Sequence, residues 1–124
     1  MSKTIPHSTL FKSYFYKTEA GNEPVKTTYL DLPKADRQII GKDLEKVKIG
    51  GPAMGLPTVD HLDGRLYEIR STIANGKVEF RTLFRVAGNA LVLLHAFQKT
   101  TQKTPPHDID LANDRWRKAK GKQP

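Results

Sequence analysis

The sequence predicts an α+β domain in which a small antiparallel β-sheet packs against two N-terminal helices and one C-terminal helix, in the order β-α-α-β-β-β-α. Three observations favour this fold. Apolar residues recur at helical spacing in the first half, three strand-like segments follow around two glycine turns, and a capped helical stripe ends the chain. The 124 residues fit one domain, residues 1–124, with flexible tails expected at about 1–9 and 120–124.

The first half is predicted to begin with a strand and to continue with two helices. Residues 10–16 are rich in aromatic side chains, which is typical of a strand. Pro24 suits the first turn of a short helix, and Pro33 starts a second one. The apolar face of the first helix is formed by Val25, Tyr29 and Leu32, and that of the second by Ile39, Ile40, Leu44 and Val47.

The second half is predicted to form a meander followed by a helix. Its strands are residues 66–73, 78–86 and 91–97, and Asn75-Gly76 predicts a tight turn between the first two. The last of these strands is almost wholly apolar, as expected for a central strand covered on both faces. Residues 53–58 are interpreted as a loop, and His61 with Asp63 as a turn. Thr104 is predicted to cap the last helix, whose inner face carries Ile109, Ala112 and Trp116.

The charge indicates an anionic partner. Lys and Arg number 21 against 13 Asp and Glu, a net charge of +8, of which residues 63–124 carry +6. Nucleic acid, an acidic protein or a lipid surface would fit this charge.

There is no cysteine, the four histidines lack metal-ligand spacing, and the longest apolar run, residues 90–94, is too short to cross a membrane. We expect a cytoplasmic protein that needs neither a metal nor another cofactor.

Two cationic groups are candidate binding sites. Arg70, Arg81 and Arg85 fall on the polar faces of two strands that the Asn75-Gly76 turn makes neighbours. Clustered arginines repel one another, so they indicate a bound anion unless Glu68 and Glu79 neutralise them in ordinary surface ion pairs. The second group is the loop after the central strand, which offers donors for phosphate oxygens: Lys99, Thr100, Thr101, Gln102 and Lys103. His95 is interpreted first as a core histidine with a hydrogen-bond partner.

Several of these segments closely resemble the phage-related, HigB-type branch of the RelE/ParE toxin superfamily. The most specific is residues 93–105, and the others are residues 66–70, Phe80-Arg81 with Phe84, and residues 14–16, 32–36 and 50–56. The resemblance covers about residues 12–120. It implies a single RelE-like domain and the toxin of a type II toxin–antitoxin pair. Many members of this superfamily are metal-independent endoribonucleases that cut mRNA on the ribosome and so inhibit translation, and the resemblance implies this activity here.

The resemblance also implies roles for individual residues. Arg70 and Arg81 match arginines that grip the scissile phosphate, Lys99 and Lys103 match the basic loop, and Glu68 matches the carboxylate beside the first arginine. The 2′-hydroxyl attacks that phosphate, and a helix-turn-helix antitoxin neutralises the toxin. Relatives often carry lysine where this chain has Thr100, so the proton-transfer group stays open among Lys99, Lys103, Glu68 and His95. Residues expected to contact RNA are Arg85, Thr100, Thr101, Gln102 and His95.

Two other functions stay open. One is a toxin of the same superfamily that poisons DNA gyrase, and the other is a non-enzymatic, basic nucleic-acid-binding protein of phage origin. The basic strand and loop pattern argues mildly against the gyrase poison.

Overall fold

A five-stranded sheet forms the middle of the computed structural model, which describes residues 10–120. The strands lie in the order β1-β5-β4-β3-β2. Their bounds are β1 Lys12–Phe15, β2 Val59–Asp63, β3 Leu66–Ile73, β4 Val78–Ala87 and β5 Ala90–Lys99. Strands β3, β4 and β5 form the antiparallel meander that the alternating pattern predicts. The α+β class is confirmed.

Three helices complete the fold within these residues. Their bounds are α1 Pro24–Leu30, α2 Lys34–Gly50 and α3 Pro106–Lys120, and a 3-10 turn, Gly51–Met54, follows α2. Pro24 lies in the first turn of α1, where its missing N–H leaves no hydrogen bond unmade. The expected flexible tails lie outside the described residues, apart from Lys120, which ends α3.

The helices pack on opposite faces of the sheet because neighbouring strand residues point to opposite sides. On one face, α1 and α2 bury Val25, Ile40 and Val47 against a first core cluster from the sheet, which includes Ile69, Phe80, Phe84, Leu91 and Leu93. On the other face, α3 buries Ala112 and Ala119 against a second cluster that includes Leu66, Leu83, Val92 and Leu94. Ile39, expected on the apolar face of α2, is instead partly exposed.

The sheet differs from the expected antiparallel one in two respects. It is mixed, because β1 pairs with β5 in parallel, from Lys12 opposite Ala90 to Phe15 opposite Leu93. It also has an additional strand, β2, which includes His61 and Asp63, where a turn was expected. This short edge strand buries Val59 and pairs with β3 through a turn at Gly64, whose φ of 53° suits glycine.

The β3–β4 hairpin sets the register that matters for the site. Ala74, Asn75 and Gly76 have positive φ angles in the turn, and Asp36 of α2 accepts a hydrogen bond from the Ala74 N–H at 3.0 Å. The resulting register places Arg70 directly opposite Arg81. The sequence-based expectation that these arginines lie within a few residues of each other is therefore confirmed.

Candidate active site

The sheet face toward α3 is covered by that helix at one end and open at the other. The open end forms a cavity of about 440 Å³, which we call the cationic cavity. Strands β3, β4 and β5 and the loop after β5 supply its lining: Arg70, Glu79, Arg81, Lys99, Thr100, Thr101 and Gln102. Three cations and one carboxylate line it, so an anionic ligand is favoured there.

The two arginines of the cavity differ in burial and in partners. Arg70 is half-buried, and its guanidinium makes no hydrogen bond or ion pair with any other residue between 10 and 120. Arg81 is only 2% exposed and is surrounded by acceptors. Arg70 is therefore the guanidinium with the most free donors for a ligand, and Arg81 is held in place by the protein.

Carboxylates fix the position of Arg81. Its Nη1 donates to the Glu79 carboxylate at 3.2 Å and to the Phe80 carbonyl at 3.1 Å, and its Nε lies 3.5 Å from the Glu68 carboxylate. Glu68 is itself buried, and its other oxygen accepts a hydrogen bond from the Thr104 hydroxyl at 2.7 Å. This buried Thr104–Glu68–Arg81 chain ties the loop before α3 to the guanidinium in the sheet. It is the ion pairing expected as the alternative to anion binding, but it engages Arg81 and leaves Arg70 open.

Glu79 is the carboxylate at the rim of the cavity, and its side chain is 48% exposed. Burial by itself would raise its pKa. The hydrogen bonds from Thr72 and Arg81, with the charges of Arg81 and Arg70, outweigh that effect and lower the pKa of Glu79 below its ordinary value. Glu79 is therefore ionised at neutral pH and offsets part of the positive charge in the cavity.

The loop after β5 folds back on itself. The Lys99 ammonium donates to the Gln102 carbonyl at 2.7 Å, and the Thr101 hydroxyl donates to the Lys103 carbonyl at 2.6 Å. These bonds hold the loop as one wall of the cationic cavity. Lys103 points elsewhere, because it lines a neighbouring cavity and not this one.

That neighbouring cavity, which we call the second cavity, has a volume of about 270 Å³ and shares Lys99 and Gln102 with the first. Edge strand β2 and the loop before α3 form most of its walls. The remaining lining residues are Asp60, His61, Leu62, Glu68, Lys103, Thr104 and Ile109.

Two residues expected to contact RNA lie outside both cavities. Arg85 sits on the same sheet face but under α3, with its guanidinium carbon 4.6 Å from the centre of the Trp116 ring. Burial, followed by the charge of Arg65, lowers the pKa of Arg85. Its stacking on an aromatic ring explains how the charge is accommodated beneath the helix.

His95 is also held by α3. Its Nε2 lies 2.6 Å from the Asp108 carboxylate, and its ring stacks on Phe97 with 5.1 Å between centres. Burial lowers the pKa of His95, although the hydrogen bond and charge of Asp108 act in the opposite direction. The interpretation of His95 as a core histidine with a partner agrees with this geometry.

For three residues that shape the site, the sequence predicted only part of the observed role or none. Glu79 was expected as a neutralising charge, because alternation along β4 places it on the same face as Arg81. Asp60 lies in a strand that was not expected. Thr104 was expected to cap α3, but its hydroxyl donates to Glu68, which is 36 positions earlier in the chain, and such a contact leaves no local signal.

The described residues were also inspected for other kinds of site. No group of three or more His, Cys, Asp or Glu side chains among residues 10–120 is arranged to hold a metal ion. Over the same span, each helix is too short or too polar to cross a membrane.

Known proteins resemble this chain over most of its length. The family described as "Phage derived protein Gp49-like (DUF891)" matches residues 29–117. Two sequences from different strains of Mycobacterium tuberculosis, both described as "Probable endoribonuclease HigB1", are each 32% identical over 114 residues, which is 89% of this chain and 88% of theirs. The chain therefore belongs to the phage-derived Gp49-like family of HigB-type proteins, as its strand and loop sequences predicted.

Proposed function

We propose that this protein is the toxin of a type II toxin–antitoxin pair and acts as a ribosome-dependent, metal-independent endoribonuclease on mRNA. One observation carries the proposal. Arg70 and Arg81 lie opposite each other on neighbouring strands and share a cationic cavity with Lys99. The description of the Mycobacterium tuberculosis relatives as probable endoribonucleases supports the same reading.

The cavity suits a phosphodiester that gains negative charge as it reacts. In the proposed reaction the 2′-oxygen bonds to phosphorus, the bond from phosphorus to the 5′-oxygen breaks, and a cyclic phosphate and a 5′-hydroxyl result. Arg70 binds the non-bridging oxygens and Arg81 is fixed beside it, so their charges stabilise the phosphorane-like transition state without reorganising. Thr100, Thr101 and Gln102 supply further hydrogen-bond donors at the rim.

The same geometry narrows the choice of proton-transfer groups. Glu68 is buried between Thr104 and Arg81, and His95 is bound to Asp108 outside the cavity. We therefore assign Glu68 to positioning Arg81, and Lys103 to the neighbouring cavity. Lys99 and Glu79 line the cationic cavity, so the removal of the 2′-hydroxyl proton and the delivery of a proton to the departing 5′-oxygen fall to these two groups or to the ribosome.

The charge of the cavity supports the proposed metal independence. Arg70, Arg81 and Lys99 line it and would repel a divalent cation. Guanidinium groups supply the charge stabilisation that Mg²⁺ provides in other nucleases. We expect cleavage to continue in EDTA, provided that the ribosomes are kept intact by a polyamine.

Partners and location follow from the substrate. The ribosome would hold the mRNA with its 2′-oxygen in line for attack, which explains how a site with no strong general base could work. We propose a cytoplasmic location, because that is where the proposed substrate is found. Its partner would be a cognate antitoxin, proposed to be a helix-turn-helix protein, that blocks toxicity when both proteins are expressed together.

The test is cleavage of mRNA bound to programmed ribosomes, with 5′ ends mapped by primer extension. Arg70→Ala should lower the cleavage rate by about 100- to 1,000-fold, the usual effect of removing one preorganised donor to a transition state. It should leave the melting temperature unchanged, because Arg70 is half-buried and unpaired among the described residues. Arg117→Ala is the matched control, since that arginine is exposed on α3 and away from the cavity.

Three results would contradict the proposal. Absence of cleavage by the wild-type protein on ribosomes would remove the proposed activity. Gyrase-dependent DNA breaks without mRNA cleavage would favour the gyrase-poisoning alternative. Overexpression that leaves growth unaffected would favour a non-enzymatic binding protein.

A further inference from the structure

The second cavity has a composition that does not suit another phosphate. Two carboxylates line it, because Asp60 on β2 lies directly opposite Glu68 on β3. Lys99 and Lys103 also line the cavity and balance the two carboxylates, so the lining has no excess positive charge to attract a phosphate. Leu62 and Ile109 add apolar surface to the walls. The cavity therefore favours an uncharged ligand that has hydrogen-bond donors and apolar faces.

The two carboxylates differ in what they can still accept. Glu68 already receives the Thr104 hydroxyl on one oxygen and faces the Arg81 guanidinium with the other. Asp60 is half-buried and makes no hydrogen bond or ion pair with another residue in the described part of the chain. Asp60 thus presents two free acceptor oxygens to the cavity.

The size and position of the cavity suit one nucleobase. Pockets for drug-sized ligands start at about 300 Å³, so a volume of about 270 Å³ is appropriate for a single planar group. Lys99 and Gln102 separate it from the cationic cavity and line both. An RNA strand whose phosphate lies between Arg70 and Arg81 would bring a neighbouring base to this position.

Hydrogen-bond chemistry identifies the base. The Watson–Crick edge of guanine carries two adjacent donors, N1–H and the N2 amino group, which match the two oxygens of one carboxylate. Adenine and cytosine place an acceptor beside their amino group, and uracil has one donor between two acceptors, so each would direct a lone pair at Asp60.

We propose that the second cavity binds guanine in the nucleotide next to the scissile phosphate, and that Asp60 reads its Watson–Crick edge. The inference rests on the proposed endoribonuclease activity and adds a specificity-determining residue to it. Leu62 and Ile109 contact the faces of the base, and Lys103 at the rim faces the backbone.

The experiment uses ribosomes programmed with mRNAs that differ in a single base of the codon in the vacant A site. At one codon position the wild-type protein should cleave the guanine substrate about ten-fold faster than the other three, the scale of one bidentate base contact. Inosine, which lacks the N2 amino group, should lose most of this advantage. Asp60→Asn should remove the preference for guanine, because the amide oxygen accepts one hydrogen bond and the amide N–H donates one, and every base offers an adjacent donor and acceptor on its Watson–Crick edge.

Asp63→Asn is the matched control, since Asp63 is exposed on the same strand and does not line the cavity. The inosine comparison needs no variant, so it tests the inference even if Asp60→Asn fails to fold. Cleavage that is equal for guanine, inosine and adenine would overturn the inference and leave the endoribonuclease proposal standing. Absence of wild-type cleavage on every mRNA would overturn both.

Discussion

The two ends of the sheet face beneath α3 both carry arginines, but the fold treats them differently. At the covered end, Arg85 stacks on Trp116, and Arg115 of α3 donates to the Leu94 carbonyl at 2.8 Å. At the open end, Arg70 has no partner among residues 10–120, while Arg81 is buried against Glu68 and Glu79. Helix α3 begins only at Pro106, and the loop before it does not cover the open end of the sheet face.

This difference separates arginines that stabilise the fold from those available to a ligand. Under the helix, the guanidinium of Arg85 contacts an aromatic ring and that of Arg115 donates to a carbonyl. In the cationic cavity, Arg81 is held by carboxylates and Arg70 remains open, so one is preorganised and the other is free to bind. Arg85 and Arg81 are the same residue type on the same face of β4, and the position at which α3 begins accounts for their different surroundings.

The largest effect is expected at Arg81, which should affect both stability and activity. Arg81→Met would leave the buried Glu68 carboxylate without its cation, so we expect the free energy of unfolding to fall by about 3–5 kcal/mol. Urea denaturation measures this loss, and ribosome cleavage should disappear in the protein that remains folded.

The double variant Glu68→Gln/Arg81→Met is the control for Arg81. Removing the buried carboxylate charge as well should restore part of the lost stability, whereas cleavage should stay absent. A single Arg81→Met variant that unfolds at the wild-type urea concentration would show that the buried chain does not hold the site together.

A smaller effect is expected at the covered end. Arg85→Ala removes the contact with Trp116 and the packing of the aliphatic stem, so the free energy of unfolding should fall by about 1 kcal/mol. Cleavage should stay near the wild-type rate. If Arg85→Ala folds but loses cleavage, Arg85 contributes to RNA binding, and the two ends do not differ in function as described.

The smallest effect is a pH dependence from His95. Burial lowers the pKa of His95 in the folded protein below its ordinary value of 6.5, despite the neighbouring Asp108, with Arg115 and His107 adding to the lowering. The unfolded chain therefore takes up the proton first, so this contribution to stability is complete above pH 6.5 and is lost as the pH falls through the folded-state pKa. The melting temperature should decrease more steeply below pH 6.5 in the wild type than in His95→Gln, and equal slopes would contradict this.

Local sequence patterns were sufficient to predict most of the helices and strands. Alternation and the Asn75-Gly76 turn predicted the β3–β4 hairpin, and the apolar run of residues 91–97 predicted an interior strand. Strand β2 was missed because Val59 and Leu62 are the only apolar residues in its five positions. A short edge strand of this kind owes its structure to pairing with β3, which its own residues do not signal.

The candidate site was predictable to the extent that it lies on one hairpin and the loop after the next strand. Arg70 and Arg81 could be paired from the turn, and Lys99 followed from the end of β5. Asp60 and Thr104 could not be placed, because each reaches the site through contacts with β3 that are distant in sequence or depend on the unexpected strand.

The sequence by itself determined the α+β class, the meander, the excess positive charge and the family, because these depend on periodicity, composition and local motifs. The tertiary structure alone decided which cations are available to a ligand. That choice depends on how much of the sheet α3 covers and on the partners of each arginine, such as the buried Glu68 and the half-buried Trp116. A charged side chain has the same sequence signature whether it is neutralised inside the protein or exposed in a cavity, and only its three-dimensional neighbours distinguish the two.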